Sequence, residues 1–256
     1  MSYFEKVREK LSGEMEIFCL EQVDSTNTFL KKRAGEHKML ALALRQTAGR
    51  GRLGRVWSSE GENIYASFYY PLRQIKTDAL TLCVALAVSD AVEEFGAQVL
   101  IKWPNDIYAG EKKLCGILCE AIYQGAKLRG IVVGIGVNAN QERFSGDAAN
   151  GISLKHVLGK PVDRAEVLCC IHKKLEARLE RFLKEGFGAF QKEYIRRSYL
   201  QGKEVTAGAL SGICIGVSQE GELLLQRGTE VRKVRFGEAL QKVRPVEGKT
   251  EGERCV

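Results

Sequence analysis

Residues 46–59, QTAGRGRLGRVWSS, set three arginines (Arg50, Arg52, Arg55) and three glycines (Gly49, Gly51, Gly54) into seven consecutive positions, shortly before Trp57. From Lys38 to Ser59 there are five basic residues and no acid. Glycine is too flexible to hold a helix here, and nothing alternates as a strand would. The segment reads as a loop that meets an anion, a nucleotide or a nucleic-acid backbone, or else as a plain solvent-exposed basic loop. Other polar stretches sit where apolar runs end or helices begin: DSTN (24–27), KWPND (102–106), KKLCGILCE (112–120) and VVGIGVN (132–138).

Several chemistries lack their residues. The chain has no G-x-x-x-x-G-K-[ST] loop and no G-x-S-x-G elbow. GRGRLG matches G-x-G-x-x-G by letter, but no amphipathic helix follows it. The eight cysteines form no C-x-x-C pair, and the three histidines have no ligand-like spacing, so neither zinc nor disulfides are expected. A metal site built by the protein is not expected.

The elements that must position these stretches follow from pattern. STNTFLKKRAGE opens with capping residue types and predicts a short helix over 27–34. MLALALRQ (39–46) predicts a buried strand feeding the basic loop, and NIYASFYYP (63–71) the strand after it. A mostly buried helix is predicted over 77–96, with Asp78 near its start, and a strand at VLIKWPND. KKLCGILCEAIYQG and LRGIVVGIGVNAN predict neighbouring strands joined through Gln124 and Gly125. The helix 163–186 has a capping-box pattern at Asp163 and Glu166. Its apolar face is Val167, Leu168, Ile171, Leu175, Leu179, Phe182 and Leu183. A further helix is predicted around 187–199, and past Gln201 short strands separated by glycine turns predict a small all-β module.

The chain has 256 residues, 45% hydrophobic and 28% charged, with net charge +7. That suits one large domain plus a small one, and an anionic ligand or acidic partner. No apolar run reaches the roughly 18 residues that would span a membrane. The charged N-terminus lacks a signal-peptide core, so a cytoplasmic location is expected.

In order and spacing, the polar stretches resemble the biotin protein ligases, which attach biotin to a lysine of a carrier protein. The resemblance rests on the arginine-glycine loop with its tryptophan, then K-W-P-N-D and K-L-x-G-I-L-x-E, and runs from about residue 20 to 245. It implies an α+β (α/β) fold: a central mixed sheet packed with helices, like a class II synthetase, over 1–199. A C-terminal SH3-like β-barrel would occupy 200–256. It also implies two steps. Biotin and ATP, with Mg²⁺, give biotinyl-AMP, and a lysine of a biotin carboxyl carrier domain then displaces AMP.

Residue roles follow from the same resemblance. Ser25, Thr26, Asn27, Gln46 and Gly116 are expected at the biotin. Arg50, Gly51 and Arg52 close over the acyl-adenylate, from a loop disordered when empty. Lys113 stabilises charge at the carboxylate and α-phosphate, and Asp106 orients the incoming amine or helps hold Mg²⁺. Trp57, Lys102, Asn105, Asn138 and Lys242 belong to the nucleotide, with Arg55 contributing field. Many relatives carry an N-terminal DNA-binding repressor module. Only 23 residues precede DSTN, so that module, and specific DNA binding, are not expected; a homodimer is left open. The rivals are a lipoate or octanoate ligase on the related fold and a nucleic-acid-binding protein using the basic loop.

Overall fold

The computed structural model describes residues 1–73, 75, 79–238 and 240–244. A seven-stranded mixed sheet organises the larger part. Its strands are β1 (Glu16–Val23), β2 (Met39–Gln46), β3 (Ile64–Tyr70), β4 (Leu100–Lys102), β5 (Asp106–Ala109), β6 (Lys112–Gln124) and β7 (Lys127–Val137). They lie in the order β1-β2-β3-β7-β6-β5-β4. β1 and β2 run parallel and all other neighbours antiparallel. The helices are α1 (Tyr3–Lys10), α2 (Thr26–Lys31), α3 (Leu80–Glu94), α4 (Leu154–Leu158), α5 (Arg164–Glu185) and α6 (Gln191–Arg196).

The two-residue period of a strand divides the sheet into faces. Leu40, Leu42, Phe68, Tyr70, Ile117, Val133 and Ile135 join the core with α3 and α5. The alternate residues Met39, Ala41, Tyr69 and Val132 pack with Leu30 of α2 on the other face. α3 is buried along most of its length and has no side-chain cap, so packing rather than local signals holds it. Each of its buried leucines and valines contributes about 1.5–3 kcal/mol of transfer free energy.

Most of the predicted elements are present, with instructive differences. α3 begins at Leu80, and Asp78 lies outside the described residues. In α5, Asp163 accepts from the Ala165 N–H, but Glu166 pairs with Lys10 at 3.0 Å instead of closing a capping box. Leu183 is 45% exposed, while His172 is buried, so the helix turns slightly away from the predicted face. The predicted helix over 187–199 is a 3₁₀ turn at Phe187–Phe190 followed by α6. α1, α4, β1 and β5 were not foreseen. α1 is fixed by a capping box between Ser2 and Glu5, and the edge strand β1 shows no clean alternation of burial. Cys83, Cys115 and Cys214 are buried and free, as expected; Cys255 lies outside the described residues.

The second sheet contains β8 (Glu204–Ala207), β9 (Leu210–Val217), β10 (Leu223–Arg227), β11 (Glu230–Val234) and β12 (Leu240–Arg244). It is antiparallel, ordered β11-β10-β9-β8-β12, and among the described residues it is open rather than closed into a barrel. Its inner residues Val205, Cys214, Leu223 and Leu225 continue the main core. Trp103 pins it to the first sheet by donating from Nε1 to the Gly221 carbonyl at 2.9 Å. Among the described residues no helix is long and apolar enough to cross a membrane.

Candidate active site

The α2 face of the large sheet carries a cavity of about 820 Å³. Cross-strand register builds its floor. Tyr65, Gly136, Gly116 and Asp106 lie in one row across β3, β7, β6 and β5. Ser67, Gly134 and Leu118 form the next row. Three of these floor positions must be glycine. A Cβ on Gly116 or Gly136 would meet the Trp57 ring at 2.6 or 2.5 Å, and one on Gly134 would meet Asn27 Oδ1 at 2.2 Å. Strand glycines of this kind mark close approach rather than flexibility.

At one end, α2 presents its first turn. Ser25 caps the helix, and Ser25, Thr26 and Asn27 are each at most 4% exposed. Gln46, the last residue of β2, accepts the Thr26 backbone N–H at 2.9 Å, and its Oε1 stands 3.2 Å from Thr26 Oγ1. Ser67 Oγ lies 2.7 Å from Thr26 Oγ1 and donates to Asn27 Oδ1 at 2.6 Å. Asn27 Nδ2 donates to the Leu118 carbonyl at 3.2 Å and to Glu120 Oε2 at 2.9 Å. Lys31 and Arg50 approach Glu120 Oε1 at 3.0 and 3.6 Å. Burial alone would raise the Glu120 pKa. The hydrogen bonds from Asn27 and Lys31, with the charges of Lys31 and Arg50, outweigh it and hold the carboxyl below its ordinary value.

At the other end sits Lys113, whose Nζ is 2.7 Å from Asp106 Oδ1 and 5.2 Å from the Trp57 ring centroid. Gly116, Leu118 and Glu120 share the cavity face, so simple alternation would send Lys113 to the core side. The β5–β6 register instead shifts between Ile107 and Tyr108, skipping Leu114. This bulge leaves Leu114 and Cys115 both in the core and turns Lys113 into the cavity. Asn138, just past β7, donates to the Lys113 carbonyl at 3.2 Å. Lys102 donates to the Tyr108 hydroxyl at 3.1 Å, and Asn105 to the Ile117 carbonyl at 3.0 Å.

The basic loop roofs these groups. It is a loop, as its composition predicts, folded back on itself as a strap. Arg50 and Val56 form an antiparallel bridge, Gly51 N–H donates to the Arg55 carbonyl at 2.7 Å, and Arg52–Gly54 make one 3₁₀ turn. Arg52 donates to Asn105 Oδ1 at 3.3 Å and to the Phe236 carbonyl. Burial pulls its pKa below the usual value, opposed by the charge of Asp106. The guanidinium remains a cation. Leu53 holds a left-handed φ of 54° with its side chain 61% exposed. The Trp57 Nε1 is buried with no partner among the described residues.

The chain's family can be read against this geometry. Residues 19–138 match the model of the biotin/lipoate A/B protein ligase family. The chain is 30% identical to a biotin–[acetyl-CoA-carboxylase] ligase of Paracoccus denitrificans over 233 residues, covering 84% of this chain and 95% of that one. The chain belongs to the biotin protein ligase family. It is 36% identical over 208 residues to the bifunctional ligase/repressor BirA of Bacillus subtilis, covering 76% of this chain but only 63% of that relative's length. The Aquifex aeolicus biotin protein ligase, solved in complex with biotin and ATP, superposes with a TM-score of 0.80 at 30% identity. That match covers 89% of this chain and 99% of that one. The large sheet with its helices is thus the mixed α/β fold of the family's catalytic domain.

All the residues singled out from sequence line the one cavity except Lys242. Lys242 falls in β12, and its side chain lies outside what is described. From the C-terminal sheet, Glu238 and Leu240 reach the cavity. Sequence reasoning missed Ser67, Gly134, Gly136 and Glu120. Glycines inside apolar strands were the available signal for two of them. Among the described residues no three His, Cys, Asp or Glu side chains stand close enough to hold a metal ion.

Proposed function

We propose that the chain is an ATP-dependent biotin protein ligase acting in the cytoplasm on a biotin carboxyl carrier domain, with residues 1–199 as the catalytic domain and 200–256 as an SH3-like domain. The observation that carries this reading is the pairing, in one cavity, of a hydrogen-bonding head at Thr26, Asn27 and Gln46 with a cationic end at Lys113 and Arg52, Arg50 standing nearer the head beside Glu120. Biotin is a urea-bearing ring on a carboxylate tail, and ATP supplies the phosphate that the cationic end must meet. A lipoyl ring has no N–H or C=O groups for the polar head, which disfavours the lipoate rival. The basic residues gather at one cavity rather than over a broad aromatic-basic face, which disfavours nucleic acid.

In the first step a biotin carboxylate oxygen bonds to the α-phosphorus and the bond to pyrophosphate breaks. Two anions must approach, so positioning and charge neutralisation dominate. Lys113 lies between them, held in place by Asp106, and stabilises charge that grows in the transition state. Lys102 and Asn105 border the phosphates, and Asn138 fixes the Lys113 backbone. Trp57 offers its ring to the nucleotide. In the second step the neutral amine of a carrier lysine attacks the acyl carbon, AMP leaves with the C–O electron pair, and the amine proton passes to solvent. Asp106 orients the incoming amine electrostatically. The strap at Arg50–Arg52 shields the adenylate from water.

A resident metal does not fit, since Asp106 is engaged by Lys113 and no carboxylate cluster is present among the described residues. Mg²⁺ would enter with the nucleotide phosphates as part of the substrate. An acidic carrier surface suits the net charge of +7. ATP–pyrophosphate exchange with biotin, with lipoate and with neither tests the reading. Exchange dependent on biotin alone is expected; none with any acid from a folded sample overturns it.

A further inference from the structure

Glu120 does not line the cavity, yet it terminates the hydrogen-bond chain that does. We propose that Glu120 is a positioning residue that sets the donor and acceptor pattern of the binding head, making it select ligands that offer N–H groups. The proposal rests on the biotin reading above and deepens it.

Hydrogen counting carries the argument. Asn27 has one acceptor end and one donor end, and a half-turn of its amide exchanges them. Two acceptors, Glu120 Oε2 at 2.9 Å and the Leu118 carbonyl at 3.2 Å, face the same amide atom, so that atom is the nitrogen. Asn27 Oδ1 therefore points over Gly134 and towards Ser67. Ser67 has a single proton, and it must go to this oxygen, 2.6 Å away. Thr26 Oγ1 has one proton of its own, and both of its neighbours, Gln46 Oε1 at 3.2 Å and Ser67 Oγ at 2.7 Å, lie within the protein. The protons of Asn27 Nδ2, Ser67 and Thr26 thus each have a partner within the protein. Asn27 Oδ1, the Thr26 lone pairs and Gln46 Oε1 are left to accept. Remove the carboxylate's pull on Nδ2, and the amide can reverse, presenting donors to a ligand that also brings donors. Buried polar mismatches of this kind are costly.

Two variants separate this role from a merely structural or electrostatic one. Glu120→Asp keeps the charge but withdraws the carboxylate by one methylene from Asn27. Glu120→Gln keeps the reach and an acceptor oxygen but loses the charge. Its acceptor serves buried Asn27, while half-exposed Arg50 and Lys31 turn to water. The readouts are the KM values for biotin and ATP in pyrophosphate exchange, and the ratio of Kd values for biotin and biotin methylated on its ureido nitrogens. Glu120→Asp is expected to raise the biotin KM about tenfold, with the ATP KM within about twofold, and to narrow the Kd ratio. Glu120→Gln should stay within about threefold of the wild type for biotin and keep the ratio. A larger loss in Glu120→Gln than in Glu120→Asp, or equal shifts in both KM values, overturns the proposal. Wild-type protein with no biotin-dependent exchange removes the underlying reading, and this one with it.

Discussion

The two ends of the cavity solve different problems. At the α2 end, Thr26, Asn27 and Ser67 are almost fully buried, and their hydrogen bonds are made within the protein. At the Lys113 end the side chains are partly exposed, Lys113 faces the opposite charge of Asp106, and the Arg52 cation donates to the neutral amide of Asn105. There Trp57 Nε1 stands buried with no partner among the described residues. A neutral head can be preorganised completely, because burying satisfied polar groups costs little. Buried charge cannot be left waiting in the same way. The cationic end accordingly pairs Lys113 with Asp106 under a strap rich in glycine.

Lys113→Ala should break the cationic end most severely. Adenylate formation is expected to fall about 10²–10³-fold, the scale of losing one preorganised transition-state contact. The biotin Kd should change little. Rapid-quench single turnover with calorimetry checks both, and lost binding with a normal rate contradicts the assignment. At the neutral end, Gly134→Ala places a Cβ against Asn27 Oδ1. A weakening of biotin binding by about tenfold or more is expected, the effect of a steric clash in a packed site, measured by calorimetry.

Arg52→Ala cuts the strap from Asn105 and Phe236. Adenylate should escape, so that lysines of unrelated proteins become labelled; labelling confined to the carrier counts against strap closure. Ser67→Ala is milder, about fivefold in biotin affinity, for one hydrogen bond of about 1 kcal/mol. The smallest effect concerns pH. The Glu120 carboxyl is held below its ordinary value of 4.5 in the fold. Its contribution to stability is thus complete above that value and fades as pH falls through the lowered folded pKa. Wild-type melting temperature should decline over that acid range more steeply than that of Glu120→Gln.

Much of the site was legible because its residues punctuate apolar runs. β2 ends at Gln46 as its pattern required, and DSTN caps α2 as its side chains allow. Less was legible where the signal lies across the sheet. Ser67 reads in sequence as an ordinary strand serine, and only its pairing opposite Gly134 puts it against Asn27. Glu120 closes the K-L-x-G-I-L-x-E stretch, but only the fold brings Asn27 and Lys31 of α2 and Arg50 of the basic loop to it.

The amino-acid sequence by itself determined the strand and helix periods, the caps, the basic loop and the order of the polar stretches, since these depend on neighbours within a few residues. The tertiary structure decided which face each side chain took. Lys113 shows why. Alternation along β6 points it into the core, and a bulge opposite Ile107 and Tyr108 points it into the cavity. A register shift belongs to the pairing of two strands, so no single stretch of sequence contains it.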